Sequence, residues 1–188
     1  EMNNSAINEV TNFLAEDIHW KDLTRLNNNW SDDPIFKNYH KLGNKQKGVL
    51  GEYFVENYIK SLKGSVVGKP TSTGHDRIID GYKTEIKFSL ANSTRGDINI
   101  NKFIINHVSI GKDWDRLIFC GINPLGCGAD RVRMYYFNKE DFKNYMFRTK
   151  KPIFRHQQAG AKGGNDDYIC VKFDEFTKLS FIKEIDLW

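Results

Sequence analysis

The sequence predicts an α/β fold in which a mixed β-sheet is flanked by helices, and two observations support that prediction. The predicted elements run in the order helix, strand, hairpin, further strands and short helices, which is the order expected when a sheet is buried against helical layers. The chain has 188 residues, 28% of them charged and 13% aromatic, and this fits one globular domain with a sizeable core.

The N-terminal part of the domain, residues 1–40, is predicted to contain one amphipathic helix. Residues 5–17 place their apolar side chains on one side of a helix, and Ser5 is suited to be its N-cap. The polar residues 27–34, which end in a proline, indicate a loop.

A second helix is predicted over residues 45–62, ending before the pair Lys63-Gly64. Its apolar arc on a helical wheel consists of Phe54, Val55, Tyr58, Ile59 and Leu62. Glu52 lies at the edge of this arc, so its carboxylate is either a solvated helix acid or a group directed into a site. Gly51 beside it would permit close approach of a strand or a phosphate.

Residues 75–88 predict a β-hairpin. The pair Asp80-Gly81 is a strong two-residue turn signal, because Gly reaches positive φ without strain. Side chains alternate along a strand, so Glu85 and Lys87 share one face of the second strand. Asp76, at the far end of the first strand, can lie across from them.

Two carboxylates and an ammonium group would then converge on one small volume. Mg²⁺ prefers carboxylate and carbonyl oxygens, and a metal held by Asp76 and Glu85 could activate water for phosphodiester hydrolysis. The alternative is a solvated edge strand, where an acid–apolar–lysine triplet is common. Asp80 is a rival first acid, but Asp76 is favoured because it leaves room for a full strand before the turn.

The remaining elements are predicted from apolar runs, alternation and helical periodicity. Strands are expected at residues 65–68, 115–122, 131–137 and 167–173, and short helices at residues 139–146 and 174–179. The four tryptophans are expected in or near the core rather than as platforms for stacking bases.

The helix with Gly51-Glu52, the pair of Gly74 and Asp76, and the triplet Glu85-Ile86-Lys87 together resemble the PD-(D/E)XK nuclease superfamily. The resemblance covers residues 47–124, and it implies a restriction-endonuclease-like catalytic core over residues 45–124.

The resemblance also implies roles for individual residues. Asp76, Glu85 and the main-chain carbonyl of Ile86 would bind Mg²⁺, Lys87 would be catalytic, and Glu52 would support the metal through water. The family often has a proline before the first acid. His75 stands there in this chain, and it is expected to be a solvated loop residue.

Two polar tracts downstream of the hairpin are candidate DNA contacts, since hydroxyl, amide and cationic side chains contact phosphates and bases. The first tract offers Ser89, Asn92, Ser93, Arg95, Asn101 and Lys102, followed by Asn106 and His107. The second tract, residues 148–166, offers Lys150, Arg155, Gln157, Gln158 and Lys162. Alternatively, the asparagines of the first tract favour turns, and the second tract is a flexible surface hairpin.

The sequence also limits the cellular compartment and the binding partners to expect for the protein. A formal net charge of +4 is compatible with a polyanionic partner. The three cysteines, Cys120, Cys127 and Cys170, are irregularly spaced, which indicates reduced thiols rather than a disulfide framework or a zinc site. No apolar run has membrane-spanning length and no signal peptide is visible, so a cytoplasmic protein without a membrane partner is expected.

These observations together predict a Mg²⁺-dependent DNA endonuclease, most similar to a sequence-specific type II restriction enzyme. Cleavage of both strands of double-stranded DNA by a compact domain usually needs two active sites, so a homodimer is expected, with a monomeric nicking enzyme as the alternative. The alternatives are a structure-specific resolvase or repair nuclease, and a non-catalytic DNA-binding module.

Overall fold

The structure is a computed structural model that describes residues 39, 42–91, 93–94, 97–98, 103–123, 132–157 and 167–185. The helices are α1 (Asn44–Lys63), α2 (Lys139–Arg148) and α3 (Phe173–Phe176). The strands are β1 (Val67–Gly68), β2 (Arg77–Ile79), β3 (Tyr82–Leu90), β4 (Ser93–Thr94), β5 (Asp97–Ile98), β6 (Ile105–Ser109), β7 (Arg116–Ile122), β8 (Val132–Asn138), β9 (Arg155–His156), β10 (Asp167–Cys170) and β11 (Lys183–Glu184). The helix predicted at 5–17 and the loop at 27–34 lie outside the described residues.

The described residues form an α/β fold around a six-stranded mixed sheet in the order β1-β2-β3-β7-β8-β11. Strands β3 and β7 are parallel, and every other neighbouring pair in this sheet is antiparallel. A second sheet has the order β6-β10-β9, and β4 pairs with β5. The predicted α/β class with a mixed sheet is therefore confirmed.

Helix α1 packs on strand β3 and fixes the position of the hairpin. Leu50, Phe54, Val55 and Ile59 are fully buried on its inner face, and Phe54, Val55 and Ile59 belong to the predicted apolar arc. A Cβ atom added to Gly51 would lie 2.4 Å from the Cβ atom of Phe88 on β3, so only glycine allows this contact. The predicted close approach of a strand to Gly51 is confirmed.

The hairpin of β2 and β3 turns at the predicted pair. Asp80 has φ of 49° and Gly81 has φ of 86°. Positive φ at both central residues is the mark of a type I′ turn, whose twist matches that of the flanking strands. The resulting register pairs Arg77 with Thr84 and Ile79 with Tyr82.

The core lies around β7, all seven of whose residues are buried. Phe119 of β7 packs edge-on against Phe103 and Phe176, and Trp114 before the strand is also buried. The predicted central strand is confirmed. Its apolar residues form a continuous run because both faces of the strand are covered, so apolar and polar residues do not alternate along it. Trp114 is a core residue, as expected, and its indole N–H donates to the carbonyl of Ser109 at 2.7 Å.

The structure corrects the predicted elements in three places. Strand β6 lies in the tract for which DNA contacts or turns were the two alternatives, and its two consecutive exposed residues hide the alternation that marks a strand. Strands β4, β5, β9 and β11 were not predicted, since two residues are too few to give a periodic signal. The strand predicted at 167–173 ends at Cys170, and Phe173 begins α3 instead.

Two other expectations concern the thiols and the membrane. Among the described residues, Cys120 and Cys170 are free buried cysteines, and Cys127 lies outside them. Burial raises the pKa of Cys170 to about 11, so this thiol is protonated at neutral pH. No helix in the described part of the chain is both long enough and apolar enough to span a membrane.

Candidate active site

The hairpin brings Asp76 against the main chain of β3. The backbone N–H of Asp76 donates to the carbonyl of Thr84 at 3.0 Å, which extends the strand pairing beyond β2. Its carboxylate Oδ2 accepts from the backbone N–H of Ile86 at 2.7 Å. Asp76 therefore lies across from the second strand, next to Glu85, in the arrangement that the sequence allowed.

Glu85 is the most enclosed acid of the site, with a side chain that is 6% exposed. Its Oε1 atom accepts from Lys87 Nζ at 2.9 Å, and the two side chains share one face of β3. A second ammonium group, Lys112 Nζ in the turn after β6, lies 3.5 Å from the same oxygen. Two cations and two carboxylates thus meet at one point of the sheet surface.

These groups open onto a cleft with a volume of about 540 Å³. Helix α1 lines the cleft with Lys47, Gly48 and Glu52, among other residues. Strand β6 lines it with Asn106 and His107. The cleft is therefore built where α1, the hairpin and the second sheet meet.

Arg77 connects the helix to the hairpin beside this cleft. Its guanidinium donates from Nη1 to Glu52 Oε2 at 2.9 Å and from Nε to Glu56 Oε2 at 3.0 Å. Nη1 also donates to the carbonyl of Asp76 at 2.7 Å. One side chain, itself 17% exposed, thus holds two helix acids and the main chain of the candidate metal ligand.

The electrostatics of the cleft disfavour negative charge on Asp76 and Glu52. Burial, and then the nearby charge of Glu85, raise the pKa of Asp76, although the hydrogen bond from Ile86 opposes the shift. Burial, and then the charge of Asp76, raise the pKa of Glu52 against the opposing effect of Arg77. A cation bound among these carboxylates would stabilise their charged forms.

The donor set fits a hard divalent cation such as Mg²⁺. The Ile86 N–H donates to Asp76, and the N–H and C=O groups of one strand residue point to the same side, so the Ile86 carbonyl lies on the edge of β3 that carries Asp76. Two carboxylates and this carbonyl are oxygen ligands of the kind that Mg²⁺ takes while keeping several waters. Within the described ranges, no group of three or more His, Cys, Asp or Glu side chains is placed to hold a metal.

Asp80 and His75 bind other parts of the protein and are not among the residues that line the cleft. The Asp80 carboxylate accepts from the backbone N–H of Val66 at 2.9 Å, in the turn. The expectation that His75 is a solvated loop residue was wrong, because its residue surface is only 3% exposed. Its Nε2 accepts from the N–H of Thr71 at 3.1 Å, and its Nδ1 lies 2.9 Å from the carbonyl of Asp113, so both ring nitrogens have partners within the fold.

The structure describes only some of the residues predicted to contact DNA. Asn92, Arg95, Asn101, Lys102, Gln158 and Lys162 lie outside the described residues, and Ser93 is described only through its backbone in β4. Lys150 and Arg155 are exposed, while Ser89 is half-buried and donates to the carbonyl of Leu90. Ser89, Lys150, Arg155 and Gln157 are not among the residues that line the cleft.

Two residues that pair with acids of the site were not predicted from the sequence. Arg77 directly follows Asp76, and the acids Glu52 and Glu56, four positions apart on one helix face, could have indicated a shared cationic partner. Lys112 has no such signal. It stands in a turn, and only the return of the chain into the parallel strand β7 brings it to Glu85.

No protein-family model matches the chain, and no curated protein sequence matches it.

Proposed function

We propose that this protein is a Mg²⁺-dependent DNA endonuclease with a PD-(D/E)XK type of site and a restriction-endonuclease-like core. The observation that carries the proposal is the convergence of Asp76, Glu85 and Lys87 on the floor of an open cleft. A structural ion pair would not need a second, partly buried carboxylate with a raised pKa beside it. Hydrolysis in such a cleft is therefore the function that the geometry supports best.

Each residue of the site has a distinct role in this proposal. Mg²⁺ bound by Asp76, Glu85 and the Ile86 carbonyl would activate water and stabilise the leaving oxygen of the phosphodiester. The ammonium group of Lys87 orients the attacking water or offsets negative charge that develops on the phosphate. Glu52, held by Arg77 at 2.9 Å, supports the site from the helix.

The substrate proposed is double-stranded DNA, cut by a cytoplasmic homodimer that carries one site for each strand. The cations Lys47 and Lys112 line the cleft and can neutralise phosphates near the acids. Lys150 and Arg155 are exposed in the second polar tract, residues 148–166, and can bind phosphates further along the duplex.

The test is cleavage of phage DNA with Mg²⁺ by the protein and by two variants. We expect discrete fragments from the unchanged protein, and Glu85→Ala and Lys87→Ala should each lower the rate by roughly 100-fold or more. Both variants should keep the far-UV circular dichroism spectrum and should still bind the duplex. Lys183→Ala and Glu184→Ala on the exposed strand β11 are matched controls, and both should cleave normally.

Other outcomes assign other functions. Cleavage of branched DNA, with linear duplex left intact, would indicate a structure-specific resolvase or repair nuclease. Binding of DNA without cleavage, and without heat of Mg²⁺ binding in calorimetry, would indicate a non-catalytic module. Full activity of Glu85→Ala or Lys87→Ala would rule out the proposed site.

A further inference from the structure

Asn106 and His107 are neighbours on β6, and both are exposed and line the cleft that holds Asp76 and Glu85. Successive side chains of a regular strand point to opposite faces, so a regular β6 could present only one of the two residues to the cleft. A local departure from strand geometry is needed to place both there.

A β-bulge supplies that departure. Val108 pairs with Tyr168 and Ile105 with Cys170, so the two residues 106–107 lie opposite the single residue Ile169. His107 has φ of 50°, in the left-handed region that glycine favours and that side chains rarely enter. Bulges and residues with such φ values are frequent next to functional sites, where they redirect side chains.

Gln157, which follows β9, holds the bulge in place. Its Oε1 accepts from the backbone N–H of His107 at 2.7 Å, and its Nε2 lies 3.3 Å from Nε2 of the His107 ring. The other ring nitrogen, Nδ1, is 3.5 Å from Oδ2 of Asp167. Both nitrogens of the imidazole thus face protein groups, which makes His107 a part of the support.

The Asn106 side chain differs from that of His107 in its contacts. Its side-chain amide is exposed to the cleft and forms no hydrogen bond with any residue that the structure describes. An amide offers both a donor and an acceptor, which matches the N6 and N7 edge of adenine, whereas phosphate oxygens only accept. The nearby cations Lys87 and Lys112 are suited to phosphates instead.

We propose that Asn106 reads the edge of a nucleobase next to the bond that is cut, and that Gln157 and the bulge at His107 are its positioning residues. This inference rests on the proposed nuclease function, because it places a DNA duplex in this cleft. It makes Asn106 a determinant of sequence specificity.

The experiment uses a library of duplexes randomised around a fixed flank, incubated with the protein and Mg²⁺, with the new ends sequenced. We expect the unchanged protein to favour adenine at one position near the cut by on the order of tenfold. Asn106→Ala should erase that preference, and Asn106→Asp should move it toward cytosine, whose amino group donates to a carboxylate. Gln157→Ala should weaken the preference at this position only.

The matched control is Asn57→Ala on α1, whose amide donates to the carbonyl of Tyr53 outside the cleft lining. It should leave the base frequencies unchanged. Equal base frequencies for the unchanged protein and Asn106→Ala would overturn the proposal, while cleavage itself would still support the nuclease function. A general fall in rate for Gln157→Ala, without a change in preference, would also overturn its positioning role.

Selection of bound duplexes from the same library without Mg²⁺ separates this proposal from the nuclease function. A selective bound pool that Asn106→Ala makes random would support the base contact even if no DNA is cut. A random bound pool from the unchanged protein, together with random cut sites, would overturn it.

Discussion

The carboxylate of Asp76 lies in surroundings that disfavour its charge, since burial and Glu85 raise its pKa. The folded protein therefore binds more protons than the unfolded chain at pH values between the unfolded and the folded pKa. The free energy of unfolding falls as pH rises through this interval, and at neutral pH the ionised group destabilises the metal-free fold. A bound cation would remove this effect.

We predict that Asp76→Asn raises the melting temperature of the metal-free protein at pH 7, because the amide oxygen can still accept from Ile86 N–H. Mg²⁺ at about 100 times its Kd should stabilise the unchanged protein by about 2.7 kcal/mol and should hardly affect the variant. Differential scanning calorimetry in EDTA and in Mg²⁺ measures both effects, with Glu184→Gln as the exposed control. An Asp76→Asn protein that melts earlier than the unchanged protein in EDTA would contradict this account.

Lys112 and Lys87 approach the same carboxylate oxygen of Glu85, but they differ in exposure. The side chain of Lys112 is 44% exposed, whereas that of Lys87 is 17% exposed, so Lys112 is the better placed of the two to meet a phosphate from solution. An exposed cation that neutralises a DNA phosphate releases the counterions bound there, which makes the binding affinity depend on salt.

For Lys112→Ala we expect weaker DNA binding and a slope of log affinity against log salt that is smaller by about one unit. Fluorescence anisotropy with a labelled duplex, at several salt concentrations and without Mg²⁺, provides this slope. Lys143→Ala on α2, which removes a lysine paired with Glu140, should leave it unchanged. An unaltered slope for Lys112→Ala would place the phosphates away from this lysine.

At the scale of elements, the distance between α1 and β3 decides whether Glu52 and the triplet face the same cleft. Gly51 sets this distance, since a Cβ atom there would overlap the Phe88 side chain at 2.4 Å. Gly48, one turn earlier on the same helix, has open space where its Cβ would be. Substitution by alanine should therefore change the free energy of unfolding in opposite directions at the two positions.

Gly51→Ala should lower the free energy of unfolding by about 1–3 kcal/mol, the usual effect of overpacking. Gly48→Ala should raise it by about 0.5–1 kcal/mol, because alanine loses less backbone freedom in a helix. Urea unfolding followed by circular dichroism measures both changes. Two variants that shift in the same direction would mean that the contact between α1 and β3 does not limit stability.

The elements that the sequence predicted well are those whose signal is local. The Asp80-Gly81 turn and the apolar arc of α1 depend on neighbouring residues alone, and the structure confirms the turn and the burial of Phe54, Val55 and Ile59 from the arc. Strand β6 is different, because its bulge exists only through pairing with β10 and contact with Gln157. A pattern of two consecutive exposed residues could not be recognised as a strand before those partners were known.

At the scale of the whole molecule, too, contacts between distant parts of the chain could not be predicted from the sequence. Asp76, Glu85 and Lys87 lie within twelve positions of one another, so a single hairpin was enough to bring them together. The cleft also takes Asn106 from the second sheet and Lys112 from the turn after it. Which sheet faces the hairpin is a property of the packed molecule, and no local period in the sequence encodes it.

The cleft lies between elements from both sheets, so a bound duplex should slow amide hydrogen exchange in both. Without Mg²⁺, we expect slower exchange in residues 44–48, 85–88 and 104–112, which include the cleft lining, and unchanged exchange in α2 and β11. Mass spectrometry of peptides from free and DNA-bound protein provides the comparison. If slower exchange were confined to residues 148–157, the second polar tract would bind the DNA by itself and the cleft would not be the substrate site.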